Sequence, residues 1–100
     1  MVKIEVQYFD GCPHAPAALA LVKRFQQEHP ETEVKYTKVE DDAQAAEIGF
    51  RGSPTILING EDFFGAPVPD EPHLACRFYP QGLPNYEDFK RMLLNFSNDQ

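Results

Sequence analysis

The stretch Phe9-Asp10-Gly11-Cys12-Pro13-His14-Ala15-Pro16 stands between two different periodicities, and its reading decides the architecture. Before it, Val2, Ile4, Val6 and Tyr8 alternate with Lys3, Glu5 and Gln7, the period-two pattern of a half-buried strand. After it, Ala18, Leu21, Val22 and Phe25 recur at helical spacing, with Lys23, Gln26 and Gln27 off the apolar stripe. Asp10-Gly11 breaks the strand. Proline costs little only inside the first helical turn, so Pro16 predicts a helix that opens at about Cys12 to Pro13. The Cys12 sulfur then sits at a helix N-terminus, where free N–H groups and the positive dipole end favour thiolate over thiol. The competing reading is a buried Cys that fills space.

Farther along, the helix stops at His29-Pro30, because the residue before proline avoids the helical region. Residues 33–39, rich in β-branched and aromatic side chains, read as a second strand. Asp41-Asp42 supplies a cap for a short helix over 43–48 that Gly49 terminates. Thr55-Ile56-Leu57-Ile58 is a strongly apolar third strand, and Asn59-Gly60 fits a type I′ turn into a fourth strand over 61–64. Glu61 and Asp62 read as turn residues. Residues 66–84 carry Pro67, Pro69, Pro72, Pro80 and Pro84 and no clean periodicity, the mark of a long functional or disordered loop. Leu74, Cys76, Phe78 and Tyr79 argue that part of this loop packs back on the body. Asn85 caps a last helix, with Tyr86, Phe89, Leu93 and Phe96 on one stripe, and the polar tail 97–100 is expected to fray.

The order β-α-β-α-β-β-α predicts a single α/β domain over 1–100. Right-handed crossovers place the first two strands parallel, the hairpin adds an antiparallel edge, and helices cover both faces of a four-stranded mixed sheet. One hundred residues suffice for one modest core. A net charge of −7 argues against general nucleic-acid or anionic-membrane partners, which need basic patches. No signal-peptide pattern or membrane-length apolar run is present, so the expected compartment is the cytosol. There, two Cys point to catalytic, redox-sensing or metal-binding roles rather than a permanent staple. With no companion His pair, zinc is a weak case, and neither a metal site nor a resident cofactor is expected.

The strand order, the Cys after the first strand and Gly52-Ser53-Pro54-Thr55 before the third strand together resemble the thioredoxin fold. Cys12-Pro13-His14-Ala15 is similar to the C-P-H-C motif of DsbA-type disulfide oxidoreductases, with Ala15 in place of the second Cys. Phe-Asp-Gly-Cys-Pro with a downstream Cys-Arg-Phe-Tyr also resembles small bacterial one-Cys thioredoxin-like proteins, some associated with organomercurial lyases and some with selenocysteine relatives. The resemblance implies a cis proline at Pro54, lying against Cys12, with Ser53, Pro54, Thr55 and Pro13 contacting extended substrate through the backbone. It also implies that the segment after the hairpin passes near the helix bearing Cys12.

Cys12 is therefore the expected nucleophile, with His14 lowering its pKa if the imidazole turns toward the sulfur. Without a Cys at position 15, its mixed disulfide must be resolved by Cys76, with Arg77 beside it favouring thiolate, or by glutathione as co-substrate. Arg51 reads either as a carboxylate-binding group or as a solvated charge. The expected activity is thiol–disulfide exchange on a protein or small-molecule thiol or disulfide, by a monomer or weak homodimer. Two other classes compete: a redox-inert module that binds protein partners in the Pro54 groove, and a soft-metal binder using Cys12 and Cys76 for Hg(II) or Cu(I).

Overall fold

The computed structural model describes residues 2–77 and 82–98. Its elements follow the order β1 (Lys3–Tyr8), α1 (Ala15–Glu28), β2 (Glu33–Lys38), α2 (Asp42–Ile48), β3 (Thr55–Ile58), β4 (Glu61–Asp62) and α3 (Tyr86–Asn98). The strands form one sheet in the order β2-β1-β3-β4. β1 pairs parallel with β2, from Lys3↔Glu33 to Tyr8↔Lys38, and antiparallel with β3, from Ile4↔Ile58 to Gln7↔Thr55. Asn59 (φ 52°) and Gly60 (φ 87°) both hold the positive dihedrals that a type I′ turn requires, so β4 returns with Ile58↔Glu61 and Leu57↔Asp62 in register. This is the α/β thioredoxin fold, with a four-stranded mixed sheet and helices packed on it.

Alternation along the strands separates the two faces. Ile4, Val6, Ile56 and Ile58 share one face and pack in a single cluster with Ala18, Val22 and Phe25 of α1 and with Tyr86, Phe89 and Leu93 of α3. The helical stripes read from the sequence are thus the faces that meet the sheet. The side chain of Phe96 is outside the described residues, as are Phe78, Tyr79 and the last two residues of the tail. Tyr86 also joins the two helices from their edges: its O–H donates to Glu28 at 2.8 Å, and the Arg24 guanidinium lies 3.9 Å from its ring centroid. A second cluster gathers Val39, Ala45 and Phe50, with Phe9, Ile48 and Leu74 against it, and seats α2. Among the described residues, no helix is long and apolar enough to cross a membrane.

Two boundaries differ from the sequence reading. α1 opens at Ala15 with His14 at the N-cap, not at Cys12 to Pro13, because Pro16 is tolerated at N2 as well as deeper in the first turn. The Cys12 carbonyl instead accepts the Ala15 N–H at 3.2 Å, closing a turn just ahead of the helix. β4 spans only Glu61–Asp62, since the Asp62 carboxylate takes the N–H of Phe64 at 2.8 Å and turns the chain out of the ladder. The short helix α2 ends as expected, with Asp41 accepting the Gln44 N–H at 2.7 Å and Gly49 at φ 67° closing the C-terminus.

These contacts predict a ranking. Phe89, fully buried between sheet and helices, loses about 3–5 kcal/mol on substitution by Ala, whereas loss of the exposed cap in Asp41→Ala costs about 1 kcal/mol. Urea unfolding of both variants against the parent checks the order.

Candidate functional site

The β1–α1 connection and the entry to β3 meet at one place, and the loop after β4 closes over it. Cys12 lies in the first connection and is 3% exposed. Its thiol donates to the Ser53 carbonyl at 3.1 Å. The Ser53–Pro54 peptide bond is cis, and Ser53, Pro54 and Thr55 are all buried. The Ser53 hydroxyl accepts the Phe9 N–H at 3.3 Å, and the Thr55 hydroxyl donates to the Gly52 carbonyl, so side chains on both sides of Pro54 tie its loop to the sheet.

Both backbone groups of Ser53 are engaged by the chain's own loop. The Ser53 N–H donates to the Ala75 carbonyl and the Arg77 N–H donates to the Ser53 carbonyl, each at 2.8 Å, which makes a parallel bridge between Ser53 and Cys76. Gly52 permits this approach: at φ 103° it has no Cβ, and one placed there would stand 2.9 Å from the Arg77 Cβ. We call residues 66–77 the strap. It is held along its length by Arg51 Nε on the Ala66 carbonyl at 3.0 Å and by Asp42, which accepts the Leu74 N–H at 2.9 Å. At its far end, Arg77 grips Asp62 with two guanidinium bonds, at 2.7 and 3.1 Å.

Three readings from the sequence change here. Asp62 is a buried anchor rather than a turn residue, with Arg51 also 3.7 Å from its carboxylate. Arg51 is therefore neither a solvated charge nor a docking group for an outside carboxylate. Arg77 is committed to Asp62 and does not promote the Cys76 thiolate. Asp62 carried no periodic or motif signal; only its buried cationic partners show its role.

The strap brings the exposed Cys76 beside Ser53, whose carbonyl accepts the Cys12 thiol, so the two cysteines meet at one residue. Burial pushes the Cys12 thiol up, but hydrogen bonds from Cys76, the His14 N–H, the Ser53 hydroxyl and the Ala15 N–H outweigh it, and its pKa falls below the ordinary thiol value. Cys76 moves the other way, because its proton is held by the Cys12 sulfur, with partial burial and the Cys12 charge adding to the effect. His14 is exposed and forms no capping bond with its side chain; its backbone N–H is what reaches the sulfur. Pro13 is exposed beside it. No group of three or more His, Cys, Asp or Glu side chains among the described residues is arranged to hold a metal ion.

A thiol ahead of a helix N-terminus, set against a cis-proline loop that leads into β3 of a β2-β1-β3-β4 sheet, defines a thioredoxin-like redox protein. The sequence profile of the thioredoxin domain family matches residues 2–75, and the chain belongs to that family. A thioredoxin from Methanocaldococcus jannaschii is 41% identical over 73 residues, which cover 68% of this chain and 86% of that one. The family match ends one residue before Cys76, so the role of that thiol rests on geometry.

Two titrations follow. Removing the Cys76 donor in Cys76→Ala raises the Cys12 pKa, with thiolate absorbance near 240 nm as the readout. For Asp62, burial pushes the carboxyl up, but the Arg77 bonds and the Phe64 and Ala66 N–H groups hold it below its usual value. A depressed carboxyl stabilises the fold above its unfolded pKa of about 3.9, and that contribution is lost as pH falls through the lower folded value. Stability measured from pH 6 down to pH 2 therefore declines less steeply in Asp62→Asn than in the parent.

Proposed function

We propose that this protein is a thiol–disulfide oxidoreductase whose working pair is Cys12 and Cys76. The observation that supports this reading is that both cysteines meet at Ser53, whose carbonyl accepts the Cys12 thiol and whose backbone bridges Cys76 on the strap. Ala15 leaves no second Cys in the helix, and the strap supplies one from the other side of the site.

The exchange balances with two thiols. In the oxidised form the sulfurs are joined, and a substrate dithiol gives up two electrons and two protons to open that bond, leaving as a disulfide. Run backward, the reduced pair opens a substrate disulfide and becomes joined itself. Opposite displacements of the two pKa values suit such a pair, because a thiolate of low pKa leaves readily and a thiol of higher pKa is the better intrinsic nucleophile once ionised. The substrate class is a protein or small-molecule thiol or disulfide, with glutathione as an external thiol that competes with Cys76. The cytosol, where such exchange is catalytic rather than structural, is the compartment this reading fits.

Mild oxidation of the reduced protein, with the added oxidant taking two electrons, is expected to remove both free thiols and to yield a monomeric species two hydrogen atoms lighter. Cys12→Ser and Cys76→Ser each abolish that species and lower catalysed disulfide exchange at least tenfold. Full activity in Cys76→Ser with glutathione supplied would transfer the resolving role to the external thiol. No catalysed exchange by the parent protein, with neither thiol lost on mild oxidation, would leave a redox-inert module.

A further inference from the structure

The two sulfurs differ in what can reach them. Cys12 is 3% exposed, its thiol held on the carbonyl of Ser53, the residue that the strap bridges, whereas Cys76 on the strap is an exposed residue. The strap is anchored at several independent points. Arg77 adds a backbone bond to Ser53 and two guanidinium bonds to a buried carboxylate, and its side chain is only 10% exposed. Leu74 is pinned to Asp42 and packs against the α2 cluster. Gly52 lets the strap lie closer to the sheet than any other residue allows. A partner approaching the closed site therefore meets Cys76 first.

We propose that exchange partners enter at Cys76, and that Cys12 is the enclosed thiolate that leaves and returns beneath it. The proposal rests on the pairing of Cys12 with Cys76 proposed above and reverses the order expected from the helix-start position of Cys12. In the oxidised protein a substrate thiolate attacks the Cys76 sulfur along the open side. The new bond joins substrate sulfur to Cys76, the Cys12–Cys76 bond breaks, and its electron pair stays on Cys12. A second thiolate of the substrate then attacks its own sulfur in the mixed disulfide, forming the substrate disulfide and releasing Cys76, which takes up a proton. The substrate class is an accessible dithiol. The Cys12 thiolate lies just ahead of the first turn of α1, where the His14 N–H favours its charge. Conventional entry at Cys12 would require the Ser53 bridge and the Arg77–Asp62 pair to open first.

The test uses the intact chain, oxidised to the internal disulfide and exposed briefly to reduced glutathione. The reaction is quenched with acid and the adduct mapped by peptide mass spectrometry. The expected result is at least tenfold more glutathione on Cys76 than on Cys12. A predominant adduct on Cys12 would overturn the order of attack while leaving the pair intact. Failure to form the internal disulfide would overturn the pair and the order together. Reduced Cys76→Ser protein, alone and combined with Arg77→Ala, supplies the second measurement: Cys12 alkylation by iodoacetamide is expected to be at least tenfold faster in the double variant. Gly52→Ala, displacing the strap by contact with Arg77, replaces Arg77→Ala if that variant does not fold. Equal rates with the strap anchored and released would show that it does not shield Cys12, and would overturn the proposal.

Discussion

The pairing of Ser53 with the strap is the interaction on which the rest of the site depends. Ser53 is fully buried, so its N–H and C=O both need partners, and an unmet backbone group in such a place costs as much as a lost hydrogen bond. No strand of the sheet supplies them, because regular pairing of β3 begins only at Thr55. The loop after β4 does, through Ala75 and Arg77. Once those bonds form, Cys76 has little choice of position, Gly52 must lack a side chain, and Arg77 falls beside Asp62.

Much of the fold was readable because it rests on local rules. Alternation in residues 2–8, the Asn59-Gly60 turn and the spacing of Ala18, Val22 and Phe25 each state a backbone geometry and a buried face. The start of α1 was misplaced because a proline at N2 and one deeper in the first turn are both tolerated, so Pro16 bounded the start without fixing it. The strap was visible only as a stretch without periodicity. Its path is set by contacts across long separations: Asp42 with Leu74, Ser53 with Cys76, Asp62 with Arg77. A lone acidic residue after a turn gives no sign that it will be buried under two arginines.

The environment of Cys12 shows opposing effects of similar origin. Enclosure disfavours the charged sulfur, while the enclosing groups are themselves hydrogen-bond donors that favour it, and the donors prevail. The Ser53 carbonyl acts on the other side, accepting a bond that only the protonated thiol can give. When Cys12 ionises, that carbonyl still has the Arg77 N–H, so deprotonation strands no buried acceptor. The strap therefore lowers the cost of forming the thiolate as well as covering it.

Holding Cys76 on a paired backbone also fixes the local supply of thiol at Cys12. A reactive group on a loose linker is present at an effective concentration in the millimolar range, comparable with a small thiol in solution. A group oriented by a rigid scaffold can behave as though far more concentrated. Cys76 is of the second kind, restrained by the Ser53 bridge on both sides and by the Asp62 anchor at the next residue. On the proposed pairing of Cys12 with Cys76, bulk thiol would compete with that tethered neighbour, and the chemistry at Cys12 would be buffered against changes in the surrounding redox pool for as long as the strap stays paired.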